Sequence, residues 1–250
     1  MSTAAPMGGP GRPADLSPQL KARLAGGLFL ITMLAGGFAQ GFIGGRLMVA
    51  GDAAATATNI LAHESFYRLA FAVYLVEMAC QVTMTVLFYD SLKPVSKSAS
   101  LLAAAFGLIG CTIKTLGRLF FFAPLLVLGG AHYLSVFDPR QLQALAFLML
   151  RVNYTAETMA MVFFGLNTLV TGYLLFRSTF LPRALGVLSV VGGLGWLINL
   201  YEPLARRLES YIVGVGLIGA VATVLWLLVK GVNEQRWQEQ ANAATASIWR

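Results

Sequence analysis

The chain has 250 residues, of which 57% are hydrophobic and 12% are charged, and its formal net charge is +7. Soluble domains carry about 25% charged residues, so this composition excludes an ordinary soluble protein and indicates a polytopic membrane protein. In a soluble protein the positive charge would suggest a nucleic-acid partner. Here most cations flank apolar segments, as the positive-inside rule describes, and we expect the lipid bilayer as partner and no nucleic acid.

Composition divides the chain into three regions. Residues 1–20 are rich in Gly, Pro and Ala, cannot bury a core, and are expected to form a flexible tail. Residues 21–231 hold the apolar segments and are predicted to form the membrane domain. Residues 232–250 form a polar tail whose Trp237 and Trp249 suit a cytoplasmic or interfacial position at the membrane surface.

Hydropathy predicts an all-α bundle of six spans, because each apolar segment is long enough to cross a bilayer. The predicted spans cover 24–45, 66–90, 100–128, 139–176, 183–201 and 211–231. An interfacial helix is expected in the second half of the connection 46–64. Lysine and arginine concentrate in alternate connections and in both tails, which predicts that both termini are cytoplasmic.

The fourth span has a clear start and an unusual length. Asp138 can cap a helix and Pro139 suits the first helical position. Apolar periodicity then continues to Phe176, a length of about 57 Å at 1.5 Å per residue. Because this exceeds the thickness of a bilayer core, the helix either projects beyond the membrane or kinks.

The first span contains Gly37, Gly41 and Gly45, a doubled GxxxG spacing. Such spacing lets another helix approach closely. The glycines either pack within the bundle or form a contact with a membrane-protein partner or a second copy of the chain.

Charged side chains within the predicted spans are the candidate functional residues, since each costs roughly 2.5–3.5 kcal/mol to insert. They are Glu77, Lys114, Arg118, Arg151 and Glu157. Lys114 and Arg118 share one helical face at i, i+4. Because spans 2 and 3 run antiparallel, Glu77 lies at the depth of Arg118, which predicts a Glu77–Arg118 or a Glu77–Lys114 pair. Glu157 is the second candidate partner.

A ligand-binding site is one interpretation of these residues. Asn153 lies four residues before Glu157 on the same face, and His63, Glu64 and Arg68 fall at the outer mouth. The hypothesis places ligand binding at Glu77, Lys114, Arg118, Arg151, Asn153, Glu157, His63, Glu64 and Arg68. With three intramembrane cations and two acids, the cavity would keep a charge of +1 and suit a carboxylate, phosphate or lipid headgroup. A polar core that neutralises itself and a proton relay are the alternatives.

Catalysis finds little support in the sequence. The HES run at 63–65 resembles the start of HExxH, but Tyr67 stands where the second histidine is needed. The chain has two histidines, so a three-histidine zinc site cannot be built. We therefore predict no catalytic residues, no metal and no cofactor, and an enzyme is the less favoured class.

Five stretches carry a family resemblance: RLAGGLFLITMLAGGFAQGFI, GDAAATATNILAHESFYRLAF, LKPVSKSASLLAAAF, FFGLNTLVTGYLLFRSTFLPRALGV and LWLLVKGVNEQRW. They reach from about Arg23 to Trp237 and resemble the bacterial membrane family labelled domain of unknown function 4386. The resemblance implies a compact multi-span helical protein of the bacterial cytoplasmic membrane. It implies no activity and no catalytic residues, and Lys114 and Glu77 do not belong to its pattern.

Three classes of function follow from the residues. Binding or transport of a small anionic or lipid-like molecule in a charged pocket between spans 2, 3 and 4 is the first. An accessory or structural subunit of a larger membrane complex is the alternative. An intramembrane enzyme is the third and is given the least weight.

Overall fold

The computed structural model describes residues 16–38 and 46–246. Within these ranges the chain forms eight α-helices and no strand, with short 3-10 turns at His132–Leu134 and Ile198–Leu200. The helices are α1 Pro18–Phe38, α2 Ala53–Ala62, α3 Glu64–Leu92, α4 Lys97–Leu128, α5 Pro139–Arg177, α6 Arg183–Leu197, α7 Glu202–Val229 and α8 Glu234–Ala246.

Six helical segments of the described chain are long and apolar enough to cross a membrane. They are α1, α3, α4, α5, the segment Arg183–Leu200 that extends α6, and Ser210–Val229 within α7. The predicted all-α, six-span bundle is therefore confirmed. The orientation of the termini stays a prediction, because helix packing alone carries no information about sidedness.

Some helix ends differ from the predicted spans. α1 begins at Pro18, earlier than expected, and residues 39–45 of the predicted first span lie outside the described residues. α7 begins at Glu202, so the charged run 202–209, expected as a loop, is helical. Charge excludes a segment from the bilayer core but does not oppose a helix that projects from it. Pro203 in the first turn also suits a helix start.

The long fourth span is one unbroken helix. Asp138 accepts a hydrogen bond from the Gln141 N–H, and the Gln141 side chain accepts one from the Asp138 N–H, forming a capping box. With 39 residues, α5 is about 58 Å long at 1.5 Å per residue. This exceeds the thickness of a bilayer core, about 30 Å, and of the two alternatives an uninterrupted helix favours projection beyond the membrane. α2 lies where an interfacial helix was expected after span 1, and it packs against α5.

The six spans form a ring. Each packs mainly against its neighbours in chain order, and α7 returns to pack against α1. The ring has two ends. We call the end that carries residues 16–21, 90–97, 177–183 and 230–246 the terminal end. The opposite end, which carries α2 and the connection 129–138, is the distal end.

Polar contacts fasten the helices at the terminal end. The Gln19 side chain donates to the Lys230 carbonyl at 3.0 Å and accepts from the Val232 N–H at 2.9 Å. Asp90 pairs with both Lys21 and Lys93. The Trp237 indole of α8 donates to the Ser91 carbonyl at 2.9 Å. These bonds join the two termini of the described chain to the same end of the bundle.

Gly231 is required where α7 ends beside Gln19. Its φ is +66°, and a Cβ there would collide with the Gln19 amide. We expect Gly231→Ala to lower the free energy of unfolding by about 2–4 kcal/mol, combining left-handed backbone strain with the loss of Gln19 bonds. Denaturant titration in mixed micelles measures this. Gly130→Ala is the matched control, because Gly130 has φ +72° but open space around it. Equal losses in the two variants would contradict a role for Gln19.

The predicted dimer contact stays a prediction. An added Cβ at Gly37 would meet no atom within 4 Å, so this position of α1 is not used for packing among the described residues. Gly41 and Gly45 lie outside the described residues.

Candidate functional site

One face of α4 is buried along most of its length, and it carries both intramembrane cations. The buried positions recur every three or four residues, the spacing of one helical face. They are Ser100, Ala103, Gly107, Gly110, Lys114, Gly117, Phe121 and Leu125, with Cys111, Arg118 and Pro124 beside them on the same side of the helix. The glycines allow close contact with α5, since a Cβ at Gly117 would lie 2.8 Å from that of Ala156. Lys114 and Arg118 therefore project between tightly packed helices.

Lys114 pairs with Glu77 of α3. Its Nζ lies 2.7 Å from Glu77 Oε1, and the two side chains are 9% and 3% exposed. α1 covers the pair, because the position of a Cβ on Gly36 is 3.4 Å from Glu77 Oε1. Of the two pairings predicted for Glu77, the structure contains the one with Lys114.

Arg118 is bound from two other directions. Its Nη1 forms an ion pair with Glu157 of α5 and donates to Asn153 Oδ1 at 3.2 Å. Its guanidinium carbon lies 3.4 Å from the centroid of the Tyr74 ring, a close cation–π contact. The residue is 1% exposed, so helices α3, α4 and α5 hold this cation without water access.

An aromatic stack closes the distal side of these charges. The Tyr67 hydroxyl donates to the Phe121 carbonyl, and the two rings stack at 4.4 Å. Phe121 also meets Tyr74 edge to face at 5.2 Å. Tyr67 was missed in the sequence analysis. The signal was available, since Tyr67, Ala70, Tyr74 and Glu77 follow the three- and four-residue spacing of one face of α3.

A family model described as a domain of unknown function, DUF4386, matches residues 24–231. The chain belongs to the DUF4386 family. The match runs from α1 to the end of α7 and includes Glu77, Lys114, Arg118 and Glu157. A search of curated proteins and a search of solved structures gave no match.

The family description names no activity, so the chemistry of this DUF4386 chain has to come from its own residues. Six of them form what we call the charge network: Tyr74, Glu77, Lys114, Arg118, Asn153 and Glu157. Lys114 and Arg118 balance Glu77 and Glu157, so the network is formally neutral. The residual charge of +1 expected from the sequence included Arg151, which lies elsewhere.

Four of the candidate residues are not part of the network. Arg151 is exposed, with its guanidinium 5.8 Å from the Tyr154 ring. Arg68 and Glu64 form an exposed pair at 2.7 Å near the distal end. His63 is exposed and its Nδ1 lies 3.0 Å from the Asn59 carbonyl. Among the described residues, no group of three His, Cys, Asp or Glu side chains is placed to hold a metal.

Two atoms of the charge network are unsatisfied. Glu77 Oε2 and Arg118 Nε are buried and have no hydrogen-bond partner among the described residues. A buried polar group without a partner costs about 1–3 kcal/mol, and more when it is charged. Within the charge network of this DUF4386 protein, Glu77 Oε2 and Arg118 Nε are therefore the acceptor and the donor without a partner among the described residues.

Proposed function

We propose that this multi-pass membrane protein binds a small anion at Arg118 and Lys114, and that Glu157 releases Arg118 by taking up a proton. Glu77 and Glu157 are the counter-ions that occupy the two cations when no anion is bound. The observation that carries the proposal is the unfilled Nε of Arg118, a charged donor buried between α3, α4 and α5.

The chemistry of the cations supports an anionic ligand. A guanidinium presents several donors in a plane and binds a carboxylate or phosphate with two of them, while an ammonium adds a compact charge. Both groups lie near the middle of membrane-spanning helices, where ionisable residues mark ligand or ion pathways. Their positions suit binding that is coupled to transport.

Charge balance explains why a proton is needed. The network is neutral, so an added monovalent anion would leave one negative charge buried in a medium of low dielectric constant. Protonation of one carboxylate restores neutrality. Glu157 suits this role better than Glu77, because its side chain is 14% exposed against 3%.

The location is part of the same proposal. The distribution of lysine and arginine favours cytoplasmic termini, and the family resemblance favours the bacterial cytoplasmic membrane. On this basis the terminal end of the ring faces the cytoplasm.

Anion binding to the purified protein tests the proposal. The affinity for acetate, a monovalent anion, is measured by isothermal titration calorimetry in mild detergent between about pH 6 and pH 8, where acetate stays ionised. It should rise as pH falls, approaching tenfold per pH unit when one proton is taken up. Glu157→Gln should bind acetate at least as tightly as the wild type at the lower pH and lose the pH dependence. Arg118→Gln should not bind.

Glu64→Gln is the matched control, because Glu64 is an exposed acid on α3 and lies outside the network. It should behave as the wild type. If none of sulfate, phosphate and acetate binds to the wild type or to Glu157→Gln, the charge network only stabilises the fold and the proposal is wrong.

A subunit of a membrane complex is the second candidate. α1 presents exposed Leu24, Ile31 and Leu34, and a Cβ on Gly27 or Gly37 would have open space around it. Such a face could pack against a helix of a partner protein, with Gly37 allowing the close approach. Gly41 and Gly45, which continue the GxxxG spacing, lie outside the described residues. The molar mass measured by light scattering in mild detergent decides this, since a monomer without co-purifying chains would contradict it.

A further inference from the structure

A groove runs between α5 and α6 at the terminal end, far from the charge network along α5. It encloses about 220 Å³ and is lined by Tyr173, Phe176, Gly186, Val187, Val190 and Val191. We call it the α5–α6 groove. Its lining is apolar apart from the Tyr173 hydroxyl, and Tyr173, Val187 and Val191 are about half exposed. In a bilayer this surface contacts lipid.

Close approach of the two backbones creates the groove. A Cβ on Gly186 would lie 2.7 Å from the Gly172 carbonyl oxygen and 2.5 Å from the Phe176 nitrogen. Small residues let helices approach in this way. Backbone atoms of the two helices therefore form the bottom of the groove. The larger, partly exposed side chains on either side, such as Tyr173 and Val187, form its sides.

Two arginines lie at the mouth of the groove. Arg177 is the last residue of α5 and Arg183 is the first of α6. Their guanidinium carbons lie 6.0 Å from the Tyr173 ring and 5.7 Å from the Phe176 ring, so each arginine is within cation–π distance of an aromatic side chain that lines the groove. Both are exposed, and among the described residues neither forms an ion pair with an acidic side chain.

The geometry points to an anionic phospholipid. We propose that the α5–α6 groove holds one acyl chain while Arg177 and Arg183 bind the phosphate of the same lipid. Val191 lies eight residues beyond Arg183, so the groove extends about 12 Å into the membrane from the arginines. An arginine can donate two parallel hydrogen bonds to a phosphate. In a zwitterionic lipid the cation of the headgroup partly neutralises that phosphate, so an anionic lipid should bind the two arginines more tightly. The proposal does not depend on the anion site.

Native mass spectrometry of the full chain in mild detergent tests the site. Phosphatidylglycerol and phosphatidylcholine with identical dioleoyl chains are titrated separately. We expect phosphatidylglycerol to bind about tenfold more tightly or better, since each cation near a headgroup adds attraction. Arg177→Gln/Arg183→Gln should reduce phosphatidylglycerol binding to the level of phosphatidylcholine.

Arg140→Gln/Arg207→Gln is the matched control, because it removes the same charge from exposed positions near the distal end. It should keep the preference for phosphatidylglycerol. An equal loss in both double variants would mean diffuse attraction and would overturn the proposal, as would a preference that survives Arg177→Gln/Arg183→Gln.

The acyl chain is tested first on the wild-type protein, where the result does not depend on the folding of a variant. Glycerol 1-phosphate, which has the phosphate without the chains, should not compete with phosphatidylglycerol. Dihexanoyl phosphatidylglycerol should bind more weakly than the dioleoyl form. If glycerol 1-phosphate displaces the lipid or chain length has no effect, the groove plays no part and the proposal is wrong. Val187→Trp places a large side chain in the groove and should weaken the binding of dioleoyl phosphatidylglycerol and of dioleoyl phosphatidylcholine.

Discussion

Lys114→Met is expected to lower the free energy of unfolding by about 3–5 kcal/mol, because it leaves the Glu77 carboxylate buried without a partner. Glu77 is 3% exposed and covered by α1, so water cannot replace the lost ammonium. The double variant Glu77→Leu/Lys114→Met should recover most of this loss, since apolar residues of similar size can replace a buried ion pair. Unfolding by dodecyl sulfate in mixed micelles, followed by far-UV circular dichroism, measures the three proteins.

Lys230→Met is the control for this series. Lys230 is exposed at the end of α7, and we expect its replacement to change stability by no more than about 0.5 kcal/mol. A Lys114→Met protein as stable as the control would contradict a desolvated Glu77–Lys114 pair. A double variant that stays as unstable as Lys114→Met would show that the pair is needed for packing beyond its charge.

Arg118→Lys is expected to be nearly as damaging as Arg118→Met, with a loss of about 3 kcal/mol or more. The planar guanidinium meets Glu157, Asn153 and the face of the Tyr74 ring at once. An ammonium is a compact charge and cannot reproduce all three contacts. The same denaturation experiment measures the loss, and the near-UV circular dichroism of the aromatic stack should weaken with it.

Arg151→Lys provides the comparison on α5. Arg151 is exposed and its guanidinium lies 5.8 Å from the Tyr154 ring, a weaker version of the Arg118–Tyr74 contact. We expect its stability to remain within about 0.5 kcal/mol of the wild type. If Arg118→Lys matched Arg151→Lys, charge alone and not the shape of the guanidinium would hold the network.

Much of the candidate site was accessible from the sequence because it follows from helix geometry. Glu77 was expected to meet Arg118 or Lys114, since antiparallel neighbouring spans bring residues of similar depth together. The match in depth was with Arg118, whereas the structure pairs Glu77 with Lys114, one helical turn away. Periodicity also separates Arg151 from Glu157. Six residues turn a helix by about 600°, which leaves Arg151 some 240° around α5 from Glu157. A stricter use of the same rule would have removed Arg151 and predicted a neutral network.

The exposed residues near the distal end were wrongly expected to lie close to the buried charges, because their positions along the helix alone do not show what packs between them. His63, Glu64 and Arg68 were assigned to an outer mouth of the same site. Arg68 precedes Glu77 by nine residues, about 13.5 Å along α3. The stack of Tyr67, Tyr74 and Phe121 fills that distance with packed rings. A polar route from the mouth to the network was therefore not available to these side chains.

Taken by itself, the sequence determined the class of the protein, the six spans and the shared helical face of Lys114 and Arg118, because hydropathy and helical periodicity are local properties. The tertiary structure decided which acid meets which cation. Arg118 and Lys114 lie one turn apart and could each have taken either carboxylate. The positions of α3 and α5 on the two sides of α4 assign Glu77 to Lys114 and Glu157 to Arg118. Such positions depend on contacts between segments distant in the chain.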